Sequence, residues 1–136
     1  MIKTDAEILE EAAGYIDAGW AKYQEEDAHG RVCAIGALNK ALFGKAESSL
    51  EIENIYTDKT TDAYRLLGII SEDVPVVILG PEDPLWESPF YLATIPKGKL
   101  YMLSAYNDYV DTRQSDISDL FKKAAKKIAE KDNVME

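Results

Sequence analysis

Phe90-Tyr91-Leu92-Ala93-Thr94-Ile95-Pro96-Lys97-Gly98-Lys99-Leu100-Tyr101-Met102-Leu103-Ser104-Ala105-Tyr106 is the stretch on which the fold class turns. Two apolar, aromatic-rich runs flank Pro96-Lys97-Gly98-Lys99, and a glycine in a four-residue connection between such runs predicts a β-hairpin. Just upstream, Val76-Val77-Ile78-Leu79 is β-branched and bounded by Pro75 and Gly80-Pro81, which allows a short strand. Between them, Gly80 to Pro89 is acidic and broken by three prolines, so it reads as a surface loop and not as a helix interior or central strand.

Outside this stretch the patterns are helical. Thr4-Asp5-Ala6-Glu7 has the form of a capping box, and Ile8, Leu9, Ala12, Ala13 and Ile16 then recur at helical spacing, with Gly19 as an expected left-handed stop. Val32, Ile35, Leu38 and Leu42, interleaved with Ala34, Ala37 and Ala41, predict a second helix closed by Gly44. Gly36 within it costs about 1 kcal/mol relative to Ala, which implies close approach of another backbone. Residues 45–60 are weakly patterned. Thr60-Thr61-Asp62 can cap a helix burying Ala63, Leu66, Leu67 and Ile70, and a last helix opens between Asp111 and Ser115 with Ile117, Leu120, Phe121, Ala124, Ala125 and Ile128 as its stripe. The expected class is α+β: one small helix-dominated domain, residues 1–136, with a β-hairpin before the C-terminal helix.

The chain carries a net charge of −10, with 7 Lys/Arg against 18 Asp/Glu in residues 1–96 and 8 against 7 in residues 97–136. That balance repels phosphate backbones and disfavours direct nucleic-acid binding, which draws its affinity from Lys and Arg. A basic protein partner fits it better. No apolar run approaches the roughly 18 residues of a membrane span, and the N-terminal residues form no hydrophobic signal segment, so a cytoplasmic location is expected. The single cysteine, Cys33, excludes an internal disulfide, and His29 is the only histidine, a poor start for a structural metal site. No cofactor is expected.

Trp20, Cys33-Ala34-x-Gly36-Ala37-Leu38, Asn107-Asp108 and Thr112 fall into two blocks, residues about 8–42 and 101–128, and in this order they resemble a family of uncharacterised proteins found mostly in actinobacteria and their phages, which carry a domain of unknown function. The chain departs from that pattern with Tyr106 where tryptophan is usual and with the inserted Trp86 loop. The resemblance implies a phage or host accessory role.

Several residues could carry chemistry. His29 and Cys33 lie four apart beside a helix start that lowers thiol pKa values, with Asn107 to orient the histidine: the outline of a cysteine-dependent hydrolase or transferase. A lone cysteine between Val32 and Ala34 is more often a small buried hydrophobe. Asn107, Asp108 and Asp111 offer oxygens to a cation but lack calcium-loop spacing, and Asn, Asp and Thr112 ordinarily make turns and caps. Arg31 and Arg113 stand at expected helix starts, where amides favour anions; if the two starts converge, Trp20, Arg31, Asn107, Asp108, Thr112 and Arg113 would line a pocket for an anionic small molecule. Such arginines are more often solvated or paired. Leu85, Trp86 and Phe90 could instead anchor a protein partner, or fold back to fill the core. The reading favoured by the sequence is a small non-enzymatic binding protein, in the form of a phage counter-defence protein that masks a host protein or sequesters a nucleotide-like signal. The alternatives are an enzyme using Cys33 and an acidic nucleic-acid mimic.

Overall fold

The computed structural model describes residues 3–75 and 97–134. Among these lie six helices: α1 (Asp5–Ala18), α2 (Ala34–Phe43), α3 (Leu50–Thr57), α4 (Asp62–Ser71), α5 (Gly98–Asp108) and α6 (Gln114–Val134). The described residues contain no strand, only isolated bridges from Val32 to Trp20 and to Glu26. The expected α+β class is therefore corrected to a helical one. Leu100–Tyr106, expected as the second arm of a hairpin, lies inside α5, and Gly98 opens that helix instead of turning a hairpin. The reason is packing: Leu100, Leu103 and Asn107 stand at i, i+3 and i+7 and are buried, and α5 lies against α2 and α4. Lys, Leu, Met and Ala are also strong helix formers, and Tyr101, Met102 and Leu103 are consecutive, without the alternation a half-buried strand shows. The expected first arm, the Val76–Leu79 strand and the loop with Leu85, Trp86 and Phe90 fall outside the described residues.

α1 lies along α6 and against α2. Leu9, Ala12, Ala13 and Ile16 of α1 and Ile117, Leu120, Phe121, Ala124 and Ala125 of α6 are all buried in one core. Alanines on both stripes let the helices approach, and each fully buried large apolar side chain contributes roughly 1.5–3 kcal/mol. The capping box forms as the sequence predicts: Thr4 Oγ1 accepts from the Glu7 amide at 3.2 Å, and Glu7 Oε1 accepts from the Thr4 amide at 3.0 Å. Gly19 ends α1 in extended backbone, φ 174°, and not in the expected left-handed conformation; Gly44 after α2 is left-handed, φ 83°. The unassigned stretch 45–60 yields α3, capped by Ser49, and α4 is capped by Thr61 with the four expected residues buried.

α2 is the crossing point. Seven of its ten residues are buried, and a Cβ added to Gly36 would lie 2.0 Å from the Glu25 carbonyl oxygen. The glycine is there because the backbone of the α1–α2 connection passes directly over the helix. Among the described residues no helix is long and apolar enough to cross a membrane.

Candidate functional site

The α1–α2 connection, residues 19–33, is folded on itself by short backbone bonds. The Val32 amide donates to Gly19 O and the Ala21 amide to Val32 O, both at 3.0 Å, while the Cys33 amide donates to Glu25 O at 3.2 Å. Asp27 Oδ1 accepts from the amides of His29 and Arg31, each at 2.9 Å, fixing the turn through Gly30. Between these braces, Tyr23 has φ 69°. A tyrosine in the left-handed region is strained and persists only where its surroundings hold it. What holds it is Asp108: Oδ1 accepts from the Tyr23 amide at 2.8 Å, and the Asp108 carbonyl accepts from the Tyr23 hydroxyl at 3.4 Å.

Asn107 and Asp108 form the last turn of α5. Asn107 is 1% exposed and uses its whole amide. Oδ1 accepts from Trp20 Nε1 at 2.7 Å and from the Ala34 amide at 2.9 Å; Nδ2 donates to Ala21 O at 3.1 Å and to Asp108 Oδ1 at 3.0 Å. One side chain thus satisfies the first amide of α2, the indole of Trp20 and a carbonyl of the connection. With all four positions filled, it has none left for a ligand.

Asp108 is different. It is 8% exposed, yet only Oδ1 accepts hydrogen bonds among the described residues, and no Lys or Arg there pairs with it. It lines a pocket of about 230 Å³ bounded by Tyr23, Gln24 and Glu25 of the connection, by Cys33 and Ile35, by Ser48 and Glu53, and by Leu100, Tyr101, Ser104 and Asn107 of α5. Among the described residues, three carboxylates and no basic side chain line it. Glu25 Oε2 accepts from the Ser48 amide at 2.9 Å, and Glu53 meets Lys97 at 2.8 Å. The floor is apolar and the rim aromatic: Tyr23 is 73% and Tyr101 36% exposed.

Cys33 lies in this pocket as the N-cap of α2, its Sγ accepting from the Gly36 amide at 3.3 Å. Burial pushes its thiol up to about 11, and the charges of Asp108 and Glu25 add to that, against the opposing pull of the Gly36 and Ile35 amides. The thiol is protonated at neutral pH and is a poor nucleophile. His29, on the exposed turn, does not line the pocket, and the Asn107 amide is fully committed elsewhere, so Cys33, His29 and Asn107 do not assemble as a nucleophile, base and orienting group.

The structure scatters the other expected site residues. Trp20 and Asn107 meet in the clasp. Arg31 is exposed and pairs with Asp27, Nε to Oδ2 2.5 Å. Arg113 is exposed beyond α5, where its amide donates to Asp116 Oδ2 at 2.9 Å. Thr112 is buried with Oγ1 unpartnered among the described residues and does not cap α6, which starts at Gln114. Neither arginine lines the pocket, and the amides of Ala34 and Gly36 at the start of α2 are already taken by Asn107 and Cys33. Sequence reading missed Tyr23, Glu25, Glu53 and Tyr101. Only Tyr101 carried a signal: with Ser104 and Asp108 it stands at i, i+3 and i+7, visible once the stretch is read as a helix.

Neither the curated proteins nor the solved structures contain a match to this chain. A family of unknown function, DUF6197, matches residues 1–127, a span that includes the middle of the chain, which the two motif blocks do not reach. With nearly the whole sequence matched, the chain belongs to the DUF6197 family.

Proposed function

We propose that this chain is a non-enzymatic binding protein that works through the pocket between residues 23–25 and α5. The observation that carries the reading is the state of Cys33: the one thiol in the pocket is buried, protonated and used as a helix cap, with no histidine among the described lining residues. What remains is a preformed concavity with polar groups converging on an apolar floor, the ordinary form of a binding site.

The biological form of that binding is masking of a host protein, as in a phage counter-defence protein. Between a protein and a nucleotide-like signal, two features favour the protein. The lining carboxylates of Asp108 and Glu25, with no Lys or Arg paired to them among the described residues, repel phosphate, and about 230 Å³ is below the roughly 300–1,000 Å³ of small-molecule sites. It suits a side chain. The exposed Tyr23 beside it is the residue type enriched at interface hot spots.

Two measurements test this on the full chain purified from the cells that make it. Iodoacetamide should label Cys33 slowly in the native state and rapidly after denaturation. Native mass spectrometry should show a non-covalent polypeptide partner that denaturation releases. Fast native labelling, or an adduct on Cys33 that survives denaturation, would establish the enzyme reading instead.

A further inference from the structure

We infer that the occupant of this pocket is the guanidinium of an arginine side chain presented by a partner polypeptide. The inference rests on the binding reading above and adds the chemistry of what is bound.

The starting point is Asp108. Asp108 is 8% exposed and its carboxylate lines the pocket. Its Oδ1 accepts two neutral donors, the Tyr23 and Asn107 N–H groups, while Oδ2 accepts none and no cation is paired with it among the described residues. Residues 76–96 contain no Lys, Arg or His, so that stretch has no basic side chain to supply. A countercharge from outside the chain completes the site. Glu25 adds a second negative charge to the same wall with no Lys or Arg paired to it among the described residues, while Glu53, also on the wall, is paired with Lys97 at 2.8 Å.

The shape selects guanidinium over ammonium. Tyr23 and Tyr101 place aromatic rings at the rim, on which a planar, weakly hydrated cation stacks better than a strongly hydrated point charge. The apolar floor, with Leu100 and Ile35, suits the methylene stem that carries it. The strained Tyr23 backbone fits the same role: the Asp108 carboxylate that would receive the cation also holds the tyrosine in place.

The test is a set of chemical-shift titrations of the full chain. The probes are acetyl-Gly-Arg-Gly-amide, its citrulline counterpart of equal shape and no charge, spermidine and adenosine monophosphate. The arginine peptide should bind saturably and shift the Tyr23 and Asp108 amides, and the citrulline peptide should bind at least about tenfold more weakly, the lower end of a charged hydrogen bond. Asp108→Asn keeps an acceptor for the Tyr23 amide and removes the charge, and should weaken the arginine peptide by a similar factor. Glu25→Gln, which preserves an acceptor for the Ser48 amide, should weaken it severalfold and keeps the test open if Asp108→Asn fails to fold. Equal binding of the arginine and citrulline peptides, or tighter binding of spermidine or adenosine monophosphate, would overturn the arginine assignment while leaving a binding protein. If no probe binds but native mass spectrometry shows a retained partner, the arginine assignment alone fails; if neither appears, the binding reading fails with it.

Discussion

The seam between α1 and α6 is made of side chains that need no particular partner, whereas the clasp around Asn107 is made of groups that each need one. Leu9, Ile16, Ile117 and Phe121 are all fully buried in the seam, and any apolar shape of about the right volume would satisfy their neighbours. Trp20 Nε1, the Ala34 amide and Ala21 O are satisfied only if an amide oxygen and nitrogen arrive together at the end of α5. The seam supplies stability, and the clasp fixes where the α1–α2 connection lies relative to α5, and hence the shape of the pocket. A protein built this way should tolerate change in the one region and not in the other.

The largest effect is expected where the connection crosses α2. Gly36→Leu places a Cβ against the Glu25 carbonyl, rigid backbone that cannot swing away, and should cost about 4 kcal/mol or more in urea unfolding. A loss within about 1 kcal/mol would mean that the connection does not lie on α2 as described. Next, Asn107→Leu conserves size but strands buried donors and acceptors. At about 1–3 kcal/mol for each unsatisfied group, partly offset by relaxation, a loss of about 3 kcal/mol is expected. Leu9→Met, an equally conservative exchange on the seam, should cost less than about 1.5 kcal/mol. Equal losses for these two variants would erase the distinction between the regions.

Smaller effects belong to the surface. Arg31→Ala breaks an exposed pair with Asp27 and should cost at most about 1 kcal/mol. Asp73, at the end of α4, receives the ammonium groups of Lys127 and Lys123 on α6, and the Lys127 hydrogen bond above all holds its carboxyl below the ordinary range. Because its folded value is depressed, its contribution is present above the ordinary carboxylate range and is lost as pH falls through the depressed value. Asp73→Asn should therefore be less stable than the parent near neutral pH, by at most about 1 kcal/mol after solvent screening, and the difference should vanish once pH falls below the depressed value. A difference that grows on acidification would contradict the pairing.

The same contrast explains what the sequence discloses. The stripes of α1, α4 and α6, the Thr4 and Thr61 caps and the tight approach at Gly36 all follow from local spacing, because apolar burial leaves a periodic trace. α5 was misread because its start has no cap signature: Lys97 precedes it without a side-chain cap bond, and Gly98 sits where a hairpin turn would want glycine. The clasp left no local trace at all. Trp20 and Asn107 are 87 residues apart, and nothing in either neighbourhood says that one amide will serve an indole, a helix start and a loop carbonyl. The motif block singled out Trp20, Cys33 and Asn107, but residue type alone suggested ligand contact where the geometry uses Asn107 and Trp20 to position the connection, and Cys33 to cap a helix. Tyr23 and Glu25 come to the pocket from the α1–α2 connection and Glu53 from α3, so only the folded chain places them together.

The central claim is that the Asn107 clasp, separately from the apolar seam, sets the geometry of the pocket. Hydrogen exchange at the Trp20 indole tests it most directly. In the parent the half-buried indole N–H, bonded to Asn107 Oδ1 at 2.7 Å, should be strongly protected, exchanging orders of magnitude more slowly than a free indole. In Asn107→Ala it should exchange at near solvent rates, with the Tyr23 amide losing protection alongside it, while the α1 and α6 amides retain their order of protection. Rapid indole exchange in the parent, or an Asn107→Ala variant in which the Tyr23 amide is unaffected, would contradict the account.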